Sequence, residues 1–572
     1  IEEPIETQQS TAQPAQPAAT FVEPARLRPS SLTLPLLSAL GYILCILLTV
    51  APLSRIPDPV IHLQTPFGSV LAQAGAWLPT NLGLAADTAA SQASSQYVLF
   101  LGLLALAFIF YGLLAWFIAR QPQDGIISRR VQMVIWTATL IAGLIYIFTP
   151  AMLSHDILVY TSYSRLLANY HANPYFVPLS HFPHDPFVPL NYWAGSVAAY
   201  GPLWLVVCGL LGFVAGPQPV GYILAFRLFA LVAHLVNTWL VGKTLRATGG
   251  SQRTVILGML LYALNPLVLL ESSLGGHNDV FMVTLLLAGL WLAARAQQRG
   301  RLLLPDGYLP TVIAFTLATL IKFTTLPVIG LFVVFVAWNA WKGKQRLENP
   351  GHQTNARRWL PAIEVILLST ITACLVALVF YGPFWIHHNL HDILKSFGSP
   401  PSALFAENSI LRAILAWNHN HSLPAGLPGK LLSFFSSRKV WDDLNIAIVG
   451  LTCIAGVAWL WRSPTLRTFT LASLVSLGAL LLVTPWFYSW YVTWLIGLAV
   501  VALPLRGCRT GRALLAFTLA FSASALLTYL YKDGYAPFGI WTGFICLVTI
   551  VPPLLAFLLA LVIWRPSRQE ST

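Results

Sequence analysis

Apolar runs separated by short polar connections make up most of this sequence. The runs are about 15 to 25 residues long, which is enough to span or nearly span a lipid bilayer as a helix. The pattern therefore predicts an all-α polytopic membrane protein with about fourteen transmembrane helices. The predicted crossings are residues 33–52, 97–119, 131–150, 219–241, 254–274, 279–298, 309–322, 325–341, 361–383, 445–462, 468–484, 491–505, 513–531 and 539–563.

Residues 196–216 form a further apolar run that is predicted not to cross. This run is short and rich in glycine, and the next run, 219–241, is followed by Lys243 and Arg246. Basic residues favour the cytoplasmic side of a membrane, and these two reach that side only if 196–216 stays on the outer surface or dips into it. The run is therefore predicted to be a juxtamembrane or re-entrant helix.

The composition agrees with a membrane protein and excludes a soluble one. Of the 572 residues, 56% are hydrophobic and 9% are charged, and the mean hydropathy is +0.70. The formal charge of +13 does not indicate nucleic-acid binding, because the predicted topology concentrates lysine and arginine about threefold on the inner side. The six cysteines lie in or beside apolar runs without CxxC spacing, so neither a disulfide framework nor a zinc site is predicted.

The polar connections divide the chain into segments. Residues 1–30 are rich in Pro, Gln, Ala and Thr and are predicted to be a disordered cytoplasmic tail, with the first apolar run as an uncleaved signal anchor. The other predicted segments are an N-terminal transmembrane hairpin (31–130), a catalytic transmembrane core (131–344) with a first outer loop (151–216), a basic cytoplasmic loop (345–360), and C-terminal transmembrane helices (361–565) with a second outer loop (384–444).

Three polar groups are predicted to meet on the outer face at one depth. Asp156, preceded by His155, follows the third crossing, and the sequence from Glu271 to Asp279 connects two antiparallel crossings. Lys322 lies at the outer end of its own crossing. Charged groups at the mouth of a membrane span are costly if they enter hydrocarbon, so this cluster indicates a function.

Glycosyl transfer is a reaction that these side chains fit. It needs a base for the proton of an acceptor hydroxyl, and positive charge on the departing phosphate. Asp156 is the candidate base, and Lys322 is the candidate phosphate partner. Gly275 and Gly276 permit a sharp turn, after which the His-Asn-Asp sequence at 277–279 is suited to sugar hydroxyls, a pyrophosphate or a metal.

Structural interpretations stay open for the same residues. Asp156 is alternatively a helix cap or the ion-pair partner of Arg165. Lys322 alternatively extends its ammonium group to the membrane surface without binding a ligand. Arg227 and Glu364 lie deeper in their crossings and are predicted to form a structural ion pair.

Aromatic residues are concentrated in the segment 485–491, whose sequence is Pro-Trp-Phe-Tyr-Ser-Trp-Tyr. Such a belt commonly anchors a protein at the membrane surface, and its rings equally suit stacking on a sugar ring or an isoprenoid chain. Tyr488 is the residue of this segment predicted to contact a substrate. His387, His388 and His391 have no carboxylate at metal-ligand spacing and are predicted to be solvated.

The order of the short polar motifs resembles that of a known enzyme family. The motifs are Ser154-His155-Asp156 with Tyr160, Asn173-Pro174-Tyr175, Asp185-Pro186, Tyr200-Gly201-Pro202-Leu203 and Gly276-His277-Asn278-Asp279. In this order, over roughly residues 130–500, the chain resembles the bacterial polyprenyl-phosphate-mannose-dependent α-(1→6)-mannosyltransferases of the C-type glycosyltransferase superfamily.

The resemblance implies an inverting, metal-optional membrane transferase that takes its sugar from a polyprenyl monophosphate on the outer face. It implies that Asp156 is the catalytic base and that Lys322 binds the donor phosphate. The superfamily often has a carboxylate pair where this chain has His155 before Asp156, so no metal ligand is assigned and a divalent cation stays open as a cofactor. The residues predicted to bind substrate are His155, Tyr160, Tyr175, Tyr200, Glu271, His277, Asn278, Asp279 and Tyr488.

The sequence thus predicts a multi-pass enzyme of the bacterial plasma membrane that transfers a hexose, with mannose favoured by the resemblance. The predicted partners are a polyprenyl-phosphate-sugar donor, a glycan or glycolipid acceptor and membrane lipid, without nucleic acid. A secondary transporter or a lipid-linked oligosaccharide flippase is an alternative, but such proteins commonly hold their charges near the bilayer midplane. A ligase or polymerase with a pyrophosphate-linked donor is a second alternative. It is expected to place several basic residues on the phosphates, where this sequence offers one candidate, Lys322.

Overall fold

The computed structural model confirms the predicted all-α architecture. It describes residues 32–56, 64–83, 89–121, 129–347, 359–397, 406–421, 424, 426–504, 508–534 and 542–563. Within these ranges the chain forms α-helices and short 3-10 helices, and its β-structure is one isolated bridge between Glu407 and Trp486. The predicted tail, 1–30, and most of the predicted basic loop, 345–360, lie outside the described residues.

The helices range from short connecting turns to long apolar rods. In chain order they are α1 (Thr33–Arg55), α2 (Gly68–Gln73), α3 (Ala89–Arg120), α4 (Arg129–Ile147), α5 (Asp156–Ala168), α6 (Pro202–Ala215), α7 (Pro219–Ala247), α8 (Gln252–Ala263), α9 (Pro266–Ser273), α10 (Asp279–Gln298) and α11 (Pro305–Thr319). They continue with α12 (Leu326–Leu347), α13 (Leu360–Trp385), α14 (Leu390–Phe397), α15 (Ile410–Asn420), α16 (Leu427–Phe435), α17 (Arg438–Arg462), α18 (Leu466–Val483), α19 (Val492–Val501), α20 (Arg509–Ser524) and α21 (Thr542–Ile563).

The length of these helices makes the protein a multi-pass membrane protein. Among the described residues, 11 helices are long and apolar enough to cross a membrane, and α8 with α9 makes a twelfth crossing if the bent pair counts as one. The predicted count of about fourteen also included 309–322 and 491–505, which form the shorter helices α11 and α19. At 1.5 Å per residue, the 15 residues of α11 span about 22 Å, less than the hydrocarbon core of about 30 Å.

Helix α6 corresponds to the run 196–216 that was predicted not to cross. It has 14 residues, which gives a length of about 21 Å, so it is too short for a straight crossing. It begins with Pro202, whose missing N–H costs nothing at the first position of a helix. The helix packs between α5 and α7, in agreement with a helix that lies against the bundle.

A break between α8 and α9 sets the direction of the chain near the centre of the molecule. Asn265 accepts two backbone N–H bonds at the start of α9, and Pro266 cannot continue the ladder of α8. The two helices therefore meet at 52°. Helix α9 is followed by Gly276 in the left-handed region, at φ 60°, where a Cβ atom would lie 2.8 Å from Ile157 of α5. The segment 277–279 is thereby brought against the first turn of α5.

Arg227 of α7 fixes the connections on either side of this contact. Its guanidinium is buried and donates four hydrogen bonds of 2.5 to 3.0 Å to backbone carbonyls. The acceptors are Leu274 after α9, and Ile147, Thr149 and Ala151 between α4 and α5. The predicted ion pair with Glu364 is wrong, because Glu364 is exposed on α13 and the guanidinium of Arg227 is engaged by these carbonyls.

Candidate active site

Asp156 supplies the central carboxylate of the site. It is the first residue of α5, and its side chain is 24% exposed. Its Oδ2 atom accepts hydrogen bonds from the hydroxyls of Tyr160 and Tyr200, each at 3.3 Å. The alternative that Asp156 pairs with Arg165 is wrong, because Arg165 contacts Asp185 at 2.5 Å.

The imidazole of His277 lies between Asp156 and the buried carboxylate of Glu271. Its Nδ1 is 3.5 Å from Oδ2 of Asp156, and its Nε2 is 3.4 Å from Oε2 of Glu271. The ring stacks on Trp490 with a centroid separation of 4.0 Å. Neither ring nitrogen has a hydrogen-bond partner in the described part of the chain, so the two contacts act mainly through charge.

Burial and charge act in opposite directions on Asp156 and His277. Burial by itself raises the pKa of Asp156, but the contact with His277 and the charge of Lys322 outweigh it and lower that pKa below its usual value. Burial by itself lowers the pKa of His277, but Asp156 and Glu271 raise it to about 9. At neutral pH the site therefore holds an ionised Asp156 beside an imidazolium.

Glu271 is held in place from the side that faces away from His277. Its Oε1 atom accepts hydrogen bonds from Ser489 at 2.7 Å and from Tyr529 at 2.8 Å. Hydrogen bonds to an ionised group are among the stronger ones in proteins, so these two donors fix the carboxylate. Ser489 lies in the aromatic segment 485–491, from which the sequence singled out Tyr488 only, and nothing near Tyr529 distinguished it from other tyrosines.

Lys322 forms a second buried ion pair beside the first. Its ammonium group donates to both carboxylate oxygens of Asp279 at 2.7 Å, and its side chain is 11% exposed. Asp279 also accepts from Nε1 of Trp494 at 2.6 Å. The ammonium lies 4.7 Å from the centre of the Tyr491 ring, within range of a cation–π contact. The alternative that Lys322 only reaches for the membrane surface is therefore wrong.

A cavity of about 610 Å³ extends from Asp156 past Lys322 to the start of α17. Arg438 and Asp442 line its far side and form an ion pair of 2.9 Å. The cavity thus contains a second basic residue that the sequence did not indicate, because Arg438 lies 116 positions after Lys322, at the start of a different helix.

The same cavity has an apolar rim. Phe323 and Ile446 line it and are 48% and 73% exposed. Ile446 belongs to α17, whose most apolar stretch is only 11% buried within the protein. Apolar side chains exposed on a membrane-spanning helix face lipid. This cavity, called the lipid-side cavity below, therefore opens toward the membrane.

A smaller cavity of about 380 Å³ lies on the other side of Asp156. Asp156, Trp193, Tyr488 and Trp490 line both cavities, so the carboxylate stands at their common border. We call this space the loop-side cavity, because part of its wall comes from the loop at 384–444 that was predicted to be the second outer loop. Its polar lining includes His155, Glu407, Asn408, Arg412, Ser489 and Tyr529.

The structure brings the predicted site residues together, but only some of them face a cavity. Asp156, Lys322, Tyr200 and Tyr488 line the lipid-side cavity, and His155 lines the loop-side cavity. The other predicted substrate-binding residues line neither of these two cavities and lie behind the walls: Tyr160, Tyr175, Glu271, His277, Asn278 and Asp279. Some of them contact residues of the walls, as Tyr175 does by donating to the backbone carbonyl of Tyr200 at 2.9 Å. The side-chain amide of Asn278 is buried without a hydrogen-bond partner among the described residues.

The side chains of this site do not fit a divalent cation. Among the described residues, no group of three or more His, Cys, Asp and Glu side chains is arranged to hold a metal ion. Both oxygens of Asp279 bind Lys322, and His277 fills the space between Asp156 and Glu271. A cation placed there would have to displace one of these positive groups.

Comparison with known proteins shows which family the chain is similar to. The family profile described as "Alpha-(1->6)-mannopyranosyltransferase, N-terminal domain" matches residues 62–340, a stretch that contains Asp156, His277 and Lys322. Alpha-(1->6)-mannopyranosyltransferase A of Mycobacterium tuberculosis is 24% identical over 399 residues, covering 68% of this chain and 67% of the relative. A protein of Mycolicibacterium smegmatis named "Probable alpha-(1->6)-mannopyranosyltransferase" is 23% identical over 465 residues, covering 76% and 75%.

The remaining comparisons add a shorter match and a negative result. Alpha-(1->6)-mannopyranosyltransferase B of Corynebacterium glutamicum is 30% identical over 114 residues, which is 20% of this chain and 18% of the relative. No solved structure matches the chain. The family profile and the long relatives agree with the resemblance drawn from the motifs around Asp156: the chain is similar to the alpha-(1->6)-mannopyranosyltransferases, at low identity.

Proposed function

We propose that this protein transfers mannose from a polyprenyl-phosphate-mannose donor to a hydroxyl of a glycan or glycolipid, on the outer face of a bacterial plasma membrane. The observation that carries the proposal is the position of Asp156 on the border of two cavities, one of which opens to lipid and holds Lys322 and Arg438. The relatives named as alpha-(1->6)-mannopyranosyltransferases support mannose as the sugar. The basic residues flanking the predicted crossings support the outer face.

The lipid-side cavity suits each part of such a donor. The isoprenoid chain stays in the membrane and enters between Phe323 and Ile446 at the apolar rim. The phosphate is then drawn to Lys322 and Arg438, because charge-assisted hydrogen bonds from lysine and arginine are the usual means of binding phosphate. The sugar, attached to that phosphate, extends to the border where Asp156 lies.

The reaction then needs one base and one stabilised leaving group. Asp156 takes the proton of the acceptor hydroxyl while the hydroxyl oxygen bonds to the anomeric carbon. The bond from that carbon to the phosphate oxygen breaks, and polyprenyl phosphate leaves with the electron pair toward Lys322. Because the acceptor attacks from the side opposite to the phosphate, the configuration at the anomeric carbon inverts. Tyr160 and Tyr200 orient the carboxylate by their hydrogen bonds to Oδ2.

Purified protein in proteoliposomes, supplied with radiolabelled polyprenyl-phosphate-mannose and a mannoside acceptor, tests this proposal. Label is expected to appear in the glycan fraction and to depend on both substrates. A polyprenyl-diphosphate-linked sugar is the comparison donor. If label is transferred only from the diphosphate-linked donor, the proposed donor class is wrong. The protein is then a ligase or polymerase that uses a pyrophosphate-linked donor. If intact donor crosses the bilayer without transfer, the protein is a flippase.

Lys322 is expected to contribute to donor binding in addition to its contribution to stability. Lys322→Met leaves the carboxylate of Asp279 buried without its cation, which typically costs about 3 to 5 kcal/mol of stability. The double variant Lys322→Met with Asp279→Asn removes both charges and is expected to recover most of the melting temperature. Its KM for the donor is still expected to be raised by about tenfold or more, because a hydrogen bond to a charged group contributes about 1.5 to 3 kcal/mol. A double variant with wild-type donor KM would show that Lys322 is only structural.

His277 is expected to control the protonation of Asp156. In His277→Gln the burial of Asp156 is offset less, because Lys322 remains but the imidazolium is gone. The pKa of Asp156 therefore rises, and Asp156 is protonated, and so lost as a base, at a higher pH than in wild type. The decrease in kcat/KM is therefore expected to be larger near about pH 5.5 than near about pH 8. A pH–rate profile of the wild type and the variant measures this shift of the acidic limb.

A second substitution in the same contact distinguishes charge control from loss of structure. Glu271→Gln removes the other carboxylate and leaves the imidazolium beside Asp156, so the acidic limb is expected to stay or to move to lower pH. Trp490 still stacks on the ring, and the side-chain oxygen of the glutamine that replaces Glu271 can still accept from Tyr529. If both variants shift the limb in the same direction, His277 does not act through its charge.

A further inference from the structure

We propose that the loop-side cavity is the acceptor site, and that Glu407 and Arg412 bind the terminal sugar of a neutral glycan there. This inference rests on the proposed transfer reaction and extends it to residues of the second outer loop, which neither the sequence motifs nor the family match at 62–340 include. Four features carry it: a fixed backbone, a buried donor without a partner, a lining of mixed charge, and the shared border at Asp156.

The backbone around Glu407 is fixed to the aromatic segment 485–491. The N–H of Glu407 donates to the carbonyl of Pro485 at 2.9 Å, and the carbonyl of Glu407 accepts from the N–H of Phe487 at 3.0 Å. The side chain of Asn408 adds a hydrogen bond to the carbonyl of Phe487 at 3.3 Å. A loop that is bonded in this way keeps its side chains in one geometry, as a specific binding site requires.

Arg412 offers a donor that the protein itself does not use. It lies in the first turn of α15, where the hydroxyl of Ser409 caps the helix by accepting from the N–H of Arg412 at 3.2 Å. The Nε atom of Arg412 is buried and has no hydrogen-bond partner among the described residues. A buried donor without a partner is costly, and an acceptor oxygen on a ligand would remove that cost.

The lining of the cavity favours a neutral sugar over a phosphate. Glu407 accepts hydrogen bonds and Arg412 donates them, and their opposite charges offset each other. A sugar hydroxyl both donates and accepts, so it can satisfy both side chains at once. Trp193 and Tyr488 supply aromatic surface of the kind that packs against the apolar faces of a sugar ring. The lipid-exposed rim and the basic residues that an isoprenoid phosphate needs belong to the other cavity.

The position of Asp156 determines which end of the acceptor faces the donor. A sugar in the loop-side cavity reaches the border with one hydroxyl facing Asp156, and the anomeric carbon of the donor lies beyond that border in the lipid-side cavity. The hydroxyl then gives its proton to Asp156 and attacks that carbon, while the polyprenyl phosphate departs on the far side. The two substrates thus approach the same carboxylate from opposite sides without competing for space.

Separate KM values for donor and acceptor test this assignment in proteoliposomes. The donor is polyprenyl-phosphate-mannose, and the acceptor probe is an octyl α-(1→6)-linked dimannoside. Arg412→Gln and Glu407→Gln are expected to raise the KM for the dimannoside by about tenfold or more, with the donor KM within about twofold of wild type. Arg438→Gln, in the lipid-side cavity, is expected to show the reverse pattern.

A control variant and a donor-free measurement complete the design. Lys430→Gln removes an exposed charge from α16 of the same loop and is expected to leave both KM values unchanged. Saturation-transfer NMR on donor-free protein measures dimannoside binding directly, and the signal is expected to persist in Lys430→Gln and to be lost in Arg412→Gln. If Arg412→Gln does not fold, Arg412→Lys keeps the charge, removes the Nε donor of the guanidinium and is expected to raise the dimannoside KM.

Two outcomes overturn the inference and one separates it from the proposed function. If Arg412→Gln and Glu407→Gln both fold and keep the wild-type KM for the dimannoside, the acceptor does not bind in this cavity. An increase in donor KM instead assigns the cavity to the donor. If wild-type protein binds the dimannoside by NMR, with loss in Arg412→Gln, but does not transfer from the polyprenyl-phosphate donor, then the donor class has failed and the glycan site stands.

Discussion

Asp156→Asn is expected to reduce the transfer of mannose by a factor of about 10² to 10⁴, the range that a general base contributes. Asparagine has nearly the same shape as aspartate but cannot take a proton from the acceptor hydroxyl. Its side-chain oxygen still accepts from Tyr160 and Tyr200, so the position of α5 is expected to persist. The rate of label transfer in proteoliposomes, with both substrates saturating, measures the effect on kcat.

Asp442→Asn is the matched control for this substitution. Asp442 lines the same lipid-side cavity, pairs with Arg438, and has a side chain that is 47% exposed, so it changes the charge of the cavity without touching the border. Its effect is expected to appear in the donor KM and to leave kcat within about threefold of wild type. If Asp156→Asn transfers mannose as fast as the wild type at equal expression, the base lies elsewhere and Asp156 only orients its neighbours.

The helical architecture follows from local patterns, which is why the sequence predicts it well. The predicted crossings correspond to helical segments, one of which, 254–274, is the bent pair α8 and α9. A long apolar run in a membrane must satisfy its own backbone hydrogen bonds, which favours a helix. The predicted count of about fourteen crossings is not confirmed, since α11 and α19 are apolar but shorter than the 11 helices of full crossing length among the described residues. Their length depends on where neighbouring helices end, and a sliding window along one chain does not contain that information.

The sequence predicted residues that the structure brings together in the candidate site, but it did not predict most of the contacts between them. Asp156, His277 and Lys322 stand out as polar groups at the ends of apolar runs. The structure places them close together, with His277 3.5 Å from Asp156 and Lys322 in the wall of the same cavity as Asp156. The sequence did not indicate that His277 turns inward between two carboxylates, or that Lys322 is held by Asp279. Nor did it single out Arg412, a residue in a polar loop. Such pairings arise from packing between distant segments and leave no periodic signal along the chain.

Arg227 illustrates the same limit and leads to the second large effect. An arginine within a predicted crossing indicates a buried ion pair, and Glu364 was predicted to be its partner. In the structure the guanidinium bonds four backbone carbonyls at the ends of α4 and α9. These connections carry Asp156 on one side and His277 on the other, so Arg227 joins the two halves of the charged site without touching either half.

Arg227→Met is expected to lower the stability of the protein by about 3 kcal/mol or more, because up to four buried carbonyls lose their donor. Arg227→Lys keeps a charge but lacks the planar fork of the guanidinium, so an intermediate loss is expected. Arg246→Met, an exposed arginine near the end of the same helix, is expected to be nearly neutral. Thermal unfolding of the detergent-solubilised protein, monitored by intrinsic fluorescence, gives the order of the three variants.

The Arg227→Lys variant also tests whether Arg227 positions the residues of the candidate site or only stabilises the fold. Arg227 touches no cavity residue directly, so a change in chemistry in its variants must come from movement of the connections that it holds. In Arg227→Lys at a temperature where the protein is still folded, the acidic limb of the pH–rate profile is expected to move upward, as in His277→Gln, because Asp156 and His277 separate. If Arg227→Lys loses stability but keeps the wild-type profile, the contact between Asp156 and His277 is maintained by α5 and α9 alone, through the close approach of Gly276 to Ile157.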